Sequence, residues 1–171
     1  MITVIDNILS SKENQNLYDF VSSDDFVWHK IDDYKKQKQK VKRMSFGNLI
    51  RQPKLKDIMD EDPMISFLTR RVKERRIPDT INLYKVTVNC IKPHEHFEYH
   101  TDEWGSTVIF YINPIWKWHW GSGTTFKGGR TVRPKPGRAV IFNGKLPHKI
   151  LPPTPFMNDF GRLSIALQYN P

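Results

Sequence analysis

The second half of the chain is a series of short strand-like segments separated by proline and glycine turns, and this pattern limits the fold most. Apolar and polar residues alternate over 83–90, and short apolar runs follow at 107–112, 139–142 and 163–169. A period of two indicates β-strands. The turns fall at Asn113-Pro114 and at residues 134–137. Many short strands with such turns predict an antiparallel sandwich or jelly roll.

The first half of the chain carries helical signals. Ser10 and Glu13 form a capping-box pattern before a segment with apolar residues at helical spacing, which predicts a helix over 11–22. Asp62-Pro63 predicts a second helix start. The pattern is weaker elsewhere: 26–28 suits a strand, 35–43 an exposed strand pair or loop, and 54–59 a short helix. We predict one domain, mainly β with N-terminal helices, in which a helical support region (1–79) packs on a double-stranded β-helix, or jelly-roll, core (80–171).

Size and composition fit a single folded domain. The chain has 171 residues, of which 38% are hydrophobic, enough for one core of ordinary depth. No apolar run approaches the roughly 20 residues of a membrane span, and the N-terminus lacks the features of a signal peptide. Cys90 is the only cysteine, so no intrachain disulfide can form. These features predict a cytoplasmic protein, in the host cytoplasm if the chain is phage-encoded, with no membrane partner.

The formal net charge of +9 is concentrated in two basic clusters. The clusters suit either an acidic partner such as nucleic acid or a solvated surface, and the sequence leaves both open. Their members are Lys35, Lys36, Lys38, Lys40, Lys42 and Arg43 in the first, and Arg70, Arg71, Lys73, Arg75 and Arg76 in the second.

Three side chains are candidate metal ligands. His100 and Asp102 stand two residues apart, and on a strand such residues project from the same face. His148 follows in a later segment. Two histidines and one carboxylate, with open positions opposite, form the site of non-haem Fe(II) oxygenases. His96 and Glu98 form a competing pair, but the strand after Asp102 begins at a distance that allows one turn, which favours His100.

Arg162 is a candidate anion ligand. It lies in an otherwise apolar strand, and a buried arginine there requires an anionic partner. That partner is either a small anionic cosubstrate or a carboxylate of the chain itself. Two further groups of residues have open roles. His94 and His96 are expected as loop residues near the mouth of the site. Trp104, Trp118 and Trp120 could form a substrate rim or part of the core, whereas Trp116 is expected to be structural.

The ordered set of His100, Asp102, His148 and Arg162 resembles the 2-oxoglutarate- and Fe(II)-dependent oxygenases, in particular their prolyl 4-hydroxylase-like branch. The resemblance covers about residues 80–171 and includes three segments, Tyr111–Trp116, Trp120–Phe126 and Pro136–Phe142. The combination is most similar to the small members encoded by tailed phages. One departure is Gly123, which stands where the family often has a glutamate.

The resemblance implies the cofactors and the roles of the site residues. Fe(II) would be held by His100, Asp102 and His148, with 2-oxoglutarate as cosubstrate and O2 as oxidant. Arg162 would bind the distal carboxylate of 2-oxoglutarate. Tyr111 would hydrogen-bond the same carboxylate, with Tyr84 as a weaker candidate whose place Asn89 could take.

The implied function is a dioxygenase that hydroxylates a C–H bond and releases succinate and CO2. A peptidyl proline is the leading target, so a protein or peptide is the expected substrate. Two alternatives stay open: an oxygenase of this class acting on nucleic acid, which the charge favours, and a cupin-like metal protein that does not use 2-oxoglutarate. A non-catalytic phage protein on the same scaffold is a further alternative, against which the intact ligand set argues. The sequence leaves the oligomeric state open.

Overall fold

A computed structural model describes residues 1–23, 46–51, 63–75, 82–102, 105–157 and 161–170. Within these ranges the chain forms two α-helices, nine strands and one 3-10 helix, Trp118–Trp120. The helices are α1 (Ser11–Ser22) and α2 (Pro63–Glu74). The strands are β1 (Ile2–Ile5), β2 (Phe46–Arg51), β3 (Asn82–Ile91), β4 (Ser106–Tyr111), β5 (Gly121–Phe126), β6 (Thr131–Val132), β7 (Arg138–Asn143), β8 (His148–Pro153) and β9 (Arg162–Asn170).

The strands form two antiparallel sheets. The larger has the order β1-β7-β4-β9-β3-β2, and the smaller has the order β6-β5-β8. Most neighbours in the larger sheet are distant in sequence, as in a jelly roll, and the double-stranded β-helix predicted from the sequence is confirmed. The N-terminal region is not purely helical, contrary to the prediction for 1–79: β1 pairs with β7 and β2 pairs with β3, so both strands extend the larger sheet.

Both helices cover the outer face of the larger sheet. The α1 helix begins with the predicted capping box, in which the Ser10 hydroxyl accepts from the Glu13 amide and the Glu13 carboxylate accepts from the Ser10 amide. The apolar stripe of α2, formed by Ile65, Leu68 and Val72, is fully buried. These side chains share one core with the outward residues of the sheet. No helix in the described ranges is long and apolar enough to cross a membrane.

Strand β9 shows how the larger sheet separates two environments. Leu163, Ile165 and Leu167 lie in the core under the helices, whereas Ala166 belongs to a second cluster between the two sheets. Arg162 and Ser164 alternate with the outward residues and share the inner face with Ala166. The inner face of the larger sheet therefore carries the buried polar residues.

The prediction that residues 96–104 form a strand and its exit is wrong for the described part. Residues 96–102 do not form a regular strand, because only His100 makes a β-bridge, to His148. Conversely, β5 and β8 were not predicted, since glycine and threonine dominate the first and a pair of prolines ends the second. The predictions for 26–28, 35–43 and 54–59 lie outside the described residues.

Candidate active site

The structure brings the three predicted metal ligands together. Ligand atoms of His100, Asp102 and His148 all lie within 4.8 Å of one another. Nε2 of His148 is 3.8 Å from Oδ2 of Asp102. His148 is buried, Asp102 is half-buried and His100 is exposed, so the cluster has one open side. Among the described residues this is the one group of three such side chains that could hold a metal ion.

Backbone hydrogen bonds place the three ligands without a continuous strand. His100 and His148 exchange two N–H···O bonds of 2.9 Å, and the Asp102 amide donates to the Gly144 carbonyl at 2.8 Å. Gly105 then turns the chain into β4 with a φ of +76°, and a Cβ there would lie 1.8 Å from the Tyr169 carbonyl oxygen. Only glycine fits this position, so the turn after Asp102 depends on it.

Each ligand is oriented by a second hydrogen bond. Nδ1 of His148 is 2.9 Å from the Leu146 carbonyl, and Nδ1 of His100 is 3.3 Å from the Glu98 carbonyl. A carbonyl only accepts, so Nδ1 of each ring carries the proton and Nε2 has the lone pair that a metal requires. The Thr107 hydroxyl on β4 donates to Oδ2 of Asp102 at 2.5 Å. The sequence analysis missed Thr107; its place at the start of the strand after the ligand pair was the available signal.

An aromatic wall closes the inner side of the cluster. The rings of Phe142 and Phe126 lie 4.5 Å and 6.1 Å from the imidazole of His148, measured between centroids. Both phenylalanines are buried in the core between the sheets. This wall keeps water from His148 on that side.

Arg162 lies buried between the two sheets and is 1% exposed. Its two terminal nitrogens donate to the Gly123 carbonyl at 3.3 Å and to the Ser164 hydroxyl at 3.2 Å, while Nε has no partner. Burial lowers the pKa of Arg162, although an arginine keeps its charge over the physiological range. No carboxylate of the described residues forms an ion pair with it. Within those residues the internal ion pair considered from the sequence is therefore not present.

Tyr111 lies beside Arg162, with the guanidinium carbon 5.5 Å from the centre of its ring. Its hydroxyl is 2.8 Å from the Thr124 hydroxyl and donates to the Val132 carbonyl at 3.2 Å. Desolvation raises the pKa of Tyr111, which keeps the phenol neutral. The predicted contact of Tyr111 with a distal carboxylate stays a prediction.

Gly123 lies next to Arg162, which donates to its carbonyl. A Cβ at this residue would lie 2.7 Å from the Val132 carbonyl oxygen. The glutamate frequent in the family would therefore need a shift of β6 here. Glycine in place of the family's glutamate thus affects the packing of β5 beside Arg162. Gly123 contributes a backbone carbonyl there instead of a side chain.

Asn89 and Tyr84 were alternatives for one role. Asn89 pairs with Ser164 in the sheet, and directly opposed residues project from the same face, so Asn89 lies on the inner face with Arg162. The register of β3 shifts between Leu83 and Lys85, next to Tyr84, whose side chain lies outside the described part. The backbone thus favours Asn89, and the role of Tyr84 stays a prediction.

A half-buried carboxyl group that the sequence did not single out is close enough to Arg162 to feel its charge. Glu95 accepts from the Lys92 amide at 2.9 Å through Oε2, and its buried Oε1 has no partner. Desolvation raises its pKa, while Lys92 and Arg162 act in the opposite direction through their charges. The charge of Arg162 therefore acts on Glu95, although the two side chains do not form an ion pair.

His94 and His96 do not belong to the cluster, and the tryptophans that the structure describes have other contacts. His94 and His96 are exposed, and Nε2 of His96 is 3.1 Å from Glu98, so this competing pair is not joined to the three ligands. Trp116 and Trp120 pack edge to face at 5.5 Å, whereas Trp118 is 82% exposed. The three indoles do not line one face, because the 3-10 helix interrupts the alternation. Trp104 lies outside the described residues.

Part of the second basic cluster is structural. Arg71 forms ion pairs with Glu13 of α1 and Glu74 of α2, and Arg70 lies 3.8 Å from Glu74. The pair between Arg71 and Glu13 connects the two helices, whereas the other two pairs lie within α2. The first basic cluster lies outside the described residues.

Solved structures match the chain over nearly its whole length, although neither a protein-family model nor a curated protein matches it significantly. A prolyl 4-hydroxylase from Pseudomonas putida superposes with a TM-score of 0.67 at 15% identity, over 99% of this chain and 92% of that one. A viral collagen prolyl hydroxylase from Paramecium bursaria Chlorella virus-1, in a 2-oxoglutarate complex, gives 0.56 at 20% identity, over 98% and 94%. A prolyl hydroxylase from Trichoplax adhaerens, in complex with a hypoxia inducible factor peptide fragment, gives 0.57 at 19%, over 99% and 83%.

At these identities the likeness shows a shared fold. One neighbour is viral but comes from a Chlorella virus, so the specific resemblance to phage-encoded members stays a prediction. All three structures support the predicted fold. The chain has the fold of the 2-oxoglutarate- and Fe(II)-dependent oxygenases, in the form that their prolyl 4-hydroxylase-like branch takes.

Proposed function

We propose that the protein is an Fe(II)- and 2-oxoglutarate-dependent dioxygenase that hydroxylates a C–H bond. The observation that carries this proposal is the meeting of His100, Asp102 and His148 within 4.8 Å at one end of a fold shared with such oxygenases. When bound, the iron supplies the oxidative chemistry, in which 2-oxoglutarate and O2 yield succinate, CO2 and a hydroxylated product.

The donor set fits Fe(II). Two neutral imidazoles and one carboxylate suit a divalent metal of intermediate softness and leave positions for other ligands. Because Nδ1 of each histidine carries the proton, Nε2 has the lone pair for the metal, and the Thr107 hydroxyl orients Asp102. The cupin-like alternative would use His94, His96 and His100, and it is not supported because the first two do not belong to the ligand cluster.

Arg162 fits the distal carboxylate of the cosubstrate. A guanidinium at 1% exposure without an ion-pair partner among the described residues requires an anion, and its Nε is an unused donor. The ring of Tyr111 contacts the guanidinium on one side. The chain would thus bind the cosubstrate by one buried charge and exclude water from it by the core between the sheets.

A peptidyl proline is the leading substrate. The support is that structural neighbours are described as prolyl hydroxylases, one of them bound to a peptide fragment. A nucleic-acid substrate is the second candidate, favoured by the net charge of +9. Succinate release stimulated by proline-containing peptides supports the first; stimulation by oligonucleotides that disappears at high salt supports the second.

The test of the class is an anaerobic titration of metal-free protein with Fe(II) and 2-oxoglutarate, recording the visible charge-transfer band. We expect the band in the wild type and its loss in His148→Ala. His96→Ala is the matched control, because this histidine is exposed and outside the cluster. If iron binds but no band appears at any 2-oxoglutarate concentration, the oxygenase proposal is wrong and a metal-binding role without this cosubstrate takes its place.

A further inference from the structure

The side chain of Asn113 holds the backbone on both sides of Arg162. Its Nδ2 donates to the Gly161 carbonyl at 2.9 Å, and its Oδ1 accepts from the Leu163 amide at 2.7 Å. Regular pairing of β4 with β9 ends at Tyr111, and the Ile112 amide adds one bond to the Leu163 carbonyl. The side-chain amide of Asn113 therefore extends the pairing of the two strands to the backbone around Arg162.

Asn113 is itself fixed by a second buried asparagine. Nδ2 of Asn14, on α1, donates to the carbonyls of Ile112 and Asn113 at 3.0 Å and 3.2 Å, and its Oδ1 accepts from the Gly137 amide at 3.2 Å. Asn14 and Asn113 are 1% and 2% exposed. A continuous series of buried hydrogen bonds thus connects helix α1 to the backbone at Arg162.

The Arg162 guanidinium depends on this backbone because its own contacts are weak. Its two hydrogen bonds, at 3.3 Å and 3.2 Å, are long for a charged donor, and both acceptors are neutral. With Nε unpartnered, the guanidinium has only these two long bonds and the Tyr111 ring contact, so its direction also depends on the position of the main chain. A shift at Gly161 or Leu163 would move the charge away from its ligand.

We propose that Asn113 is a positioning residue that sets the affinity for the anionic cosubstrate through Arg162. The inference rests on the proposed function, since it takes the distal carboxylate of 2-oxoglutarate as the ligand of Arg162. It adds a residue that need not touch the cosubstrate, iron or substrate. Loss of a hydrogen bond that orients a metal ligand costs roughly tenfold to 100-fold in affinity, and we expect the lower end of this range for the positioning of Arg162.

The experiment compares 2-oxoglutarate affinity in four proteins: wild type, Asn113→Ala, Arg162→Met and the double variant. Binding is followed by the charge-transfer band at saturating Fe(II), and Fe(II) affinity is measured separately. We expect Asn113→Ala to raise the dissociation constant for 2-oxoglutarate roughly tenfold, with Fe(II) affinity unchanged. In the Arg162→Met background the same substitution should have no further effect, because the two residues act as one unit.

Asn14→Ala is the comparison variant, because it removes three buried hydrogen bonds, against two in Asn113→Ala, but none at the neighbours of Arg162. We expect it to lower the melting temperature and to raise the dissociation constant for 2-oxoglutarate clearly less than Asn113→Ala does, because it reaches Arg162 only through Asn113. If Asn113→Ala does not fold, Asn113→Ser replaces it, with a smaller increase in the same direction.

Three results overturn the inference while leaving the proposed function standing: wild-type affinity in the Asn113 variants, an equal loss in Asn14→Ala, or additive losses in the double variant. Failure of wild type to bind 2-oxoglutarate, by contrast, overturns the proposed function, and with it the ligand on which this inference rests.

Discussion

Replacing Arg162 by methionine should strongly weaken 2-oxoglutarate binding without destabilising the protein that lacks ligand. The wild-type guanidinium is 1% exposed and has no carboxylate in ion-pair contact among the described residues. Burying a charge without a partner costs several kcal/mol, of which its two hydrogen bonds return about 1 kcal/mol each. Methionine fills a similar volume and carries no charge. The variant should therefore be between equally stable and about 2 kcal/mol more stable.

Thermal unfolding with and without ligand measures both effects. A change of 1 kcal/mol moves the melting temperature of a domain of this size by about 2–4 °C. At a 2-oxoglutarate concentration 100 times the dissociation constant, with Mn(II) in place of Fe(II) to avoid oxidation, the wild type should gain about 2.7 kcal/mol. Arg162→Met should show an equal or higher melting temperature without ligand and lose most of this shift.

Arg138→Met is the control for removing an arginine. Arg138 pairs with Asp6 at 2.6 Å near the surface, so its loss should lower stability slightly and leave the ligand-induced shift in place. A loss of more than about 3 kcal/mol in ligand-free Arg162→Met would refute the reasoning. It would mean that the guanidinium serves the fold through a partner inside the protein.

Two further substitutions test groups around the site. Thr107→Val removes the donor to Asp102 while keeping the shape, so metal affinity, measured by competition with a chelator, should fall roughly tenfold; an unchanged affinity would show that Asp102 is oriented by other contacts. Glu95→Gln removes a charge near Arg162, so the dissociation constant for 2-oxoglutarate should fall roughly fivefold at neutral pH. Burial raises the pKa of Glu95 above its ordinary 4.5, so the ionised carboxyl destabilises the folded state. The gain in unfolding free energy on Glu95→Gln should therefore be largest at neutral pH and shrink toward pH 4.5 and below. A gain that does not depend on pH would contradict this.

Features encoded locally could be predicted from the sequence. The α1 helix begins at its predicted capping box, and the apolar stripe of α2 is buried as the spacing required. The run at 107–112 corresponds to β4, whose apolar residues pack on both faces. Each of these depends on residues three or four apart, or on a continuous apolar segment, so a short window contains the information.

Features set by distant partners could not be predicted. The segment before Asp102 has a strand-like composition, but its only β-bridge in the described chain joins His100 to His148, 48 residues later in the printed sequence. Asn113 was interpreted only as a turn residue, since its partners Gly161 and Leu163 follow in β9. The candidate ligands were nevertheless found, because their residue types and order are chemical signals that survive an error in secondary structure.

The burial pattern of β9 separates what the fold requires from what the proposed chemistry requires. Its outward residues are apolar and belong to the core under the helices, as the stability of the larger sheet demands. Its inward face carries Arg162, Ser164 and Gln168, all buried, at positions where apolar side chains would pack at lower cost. The most costly of the three, Arg162, is also held by the Asn113 side chain through both of its neighbours. A charge that the fold does not need, kept at a fixed place by buried hydrogen bonds, indicates that an anion completes this site, which is where 2-oxoglutarate belongs in the proposed reaction.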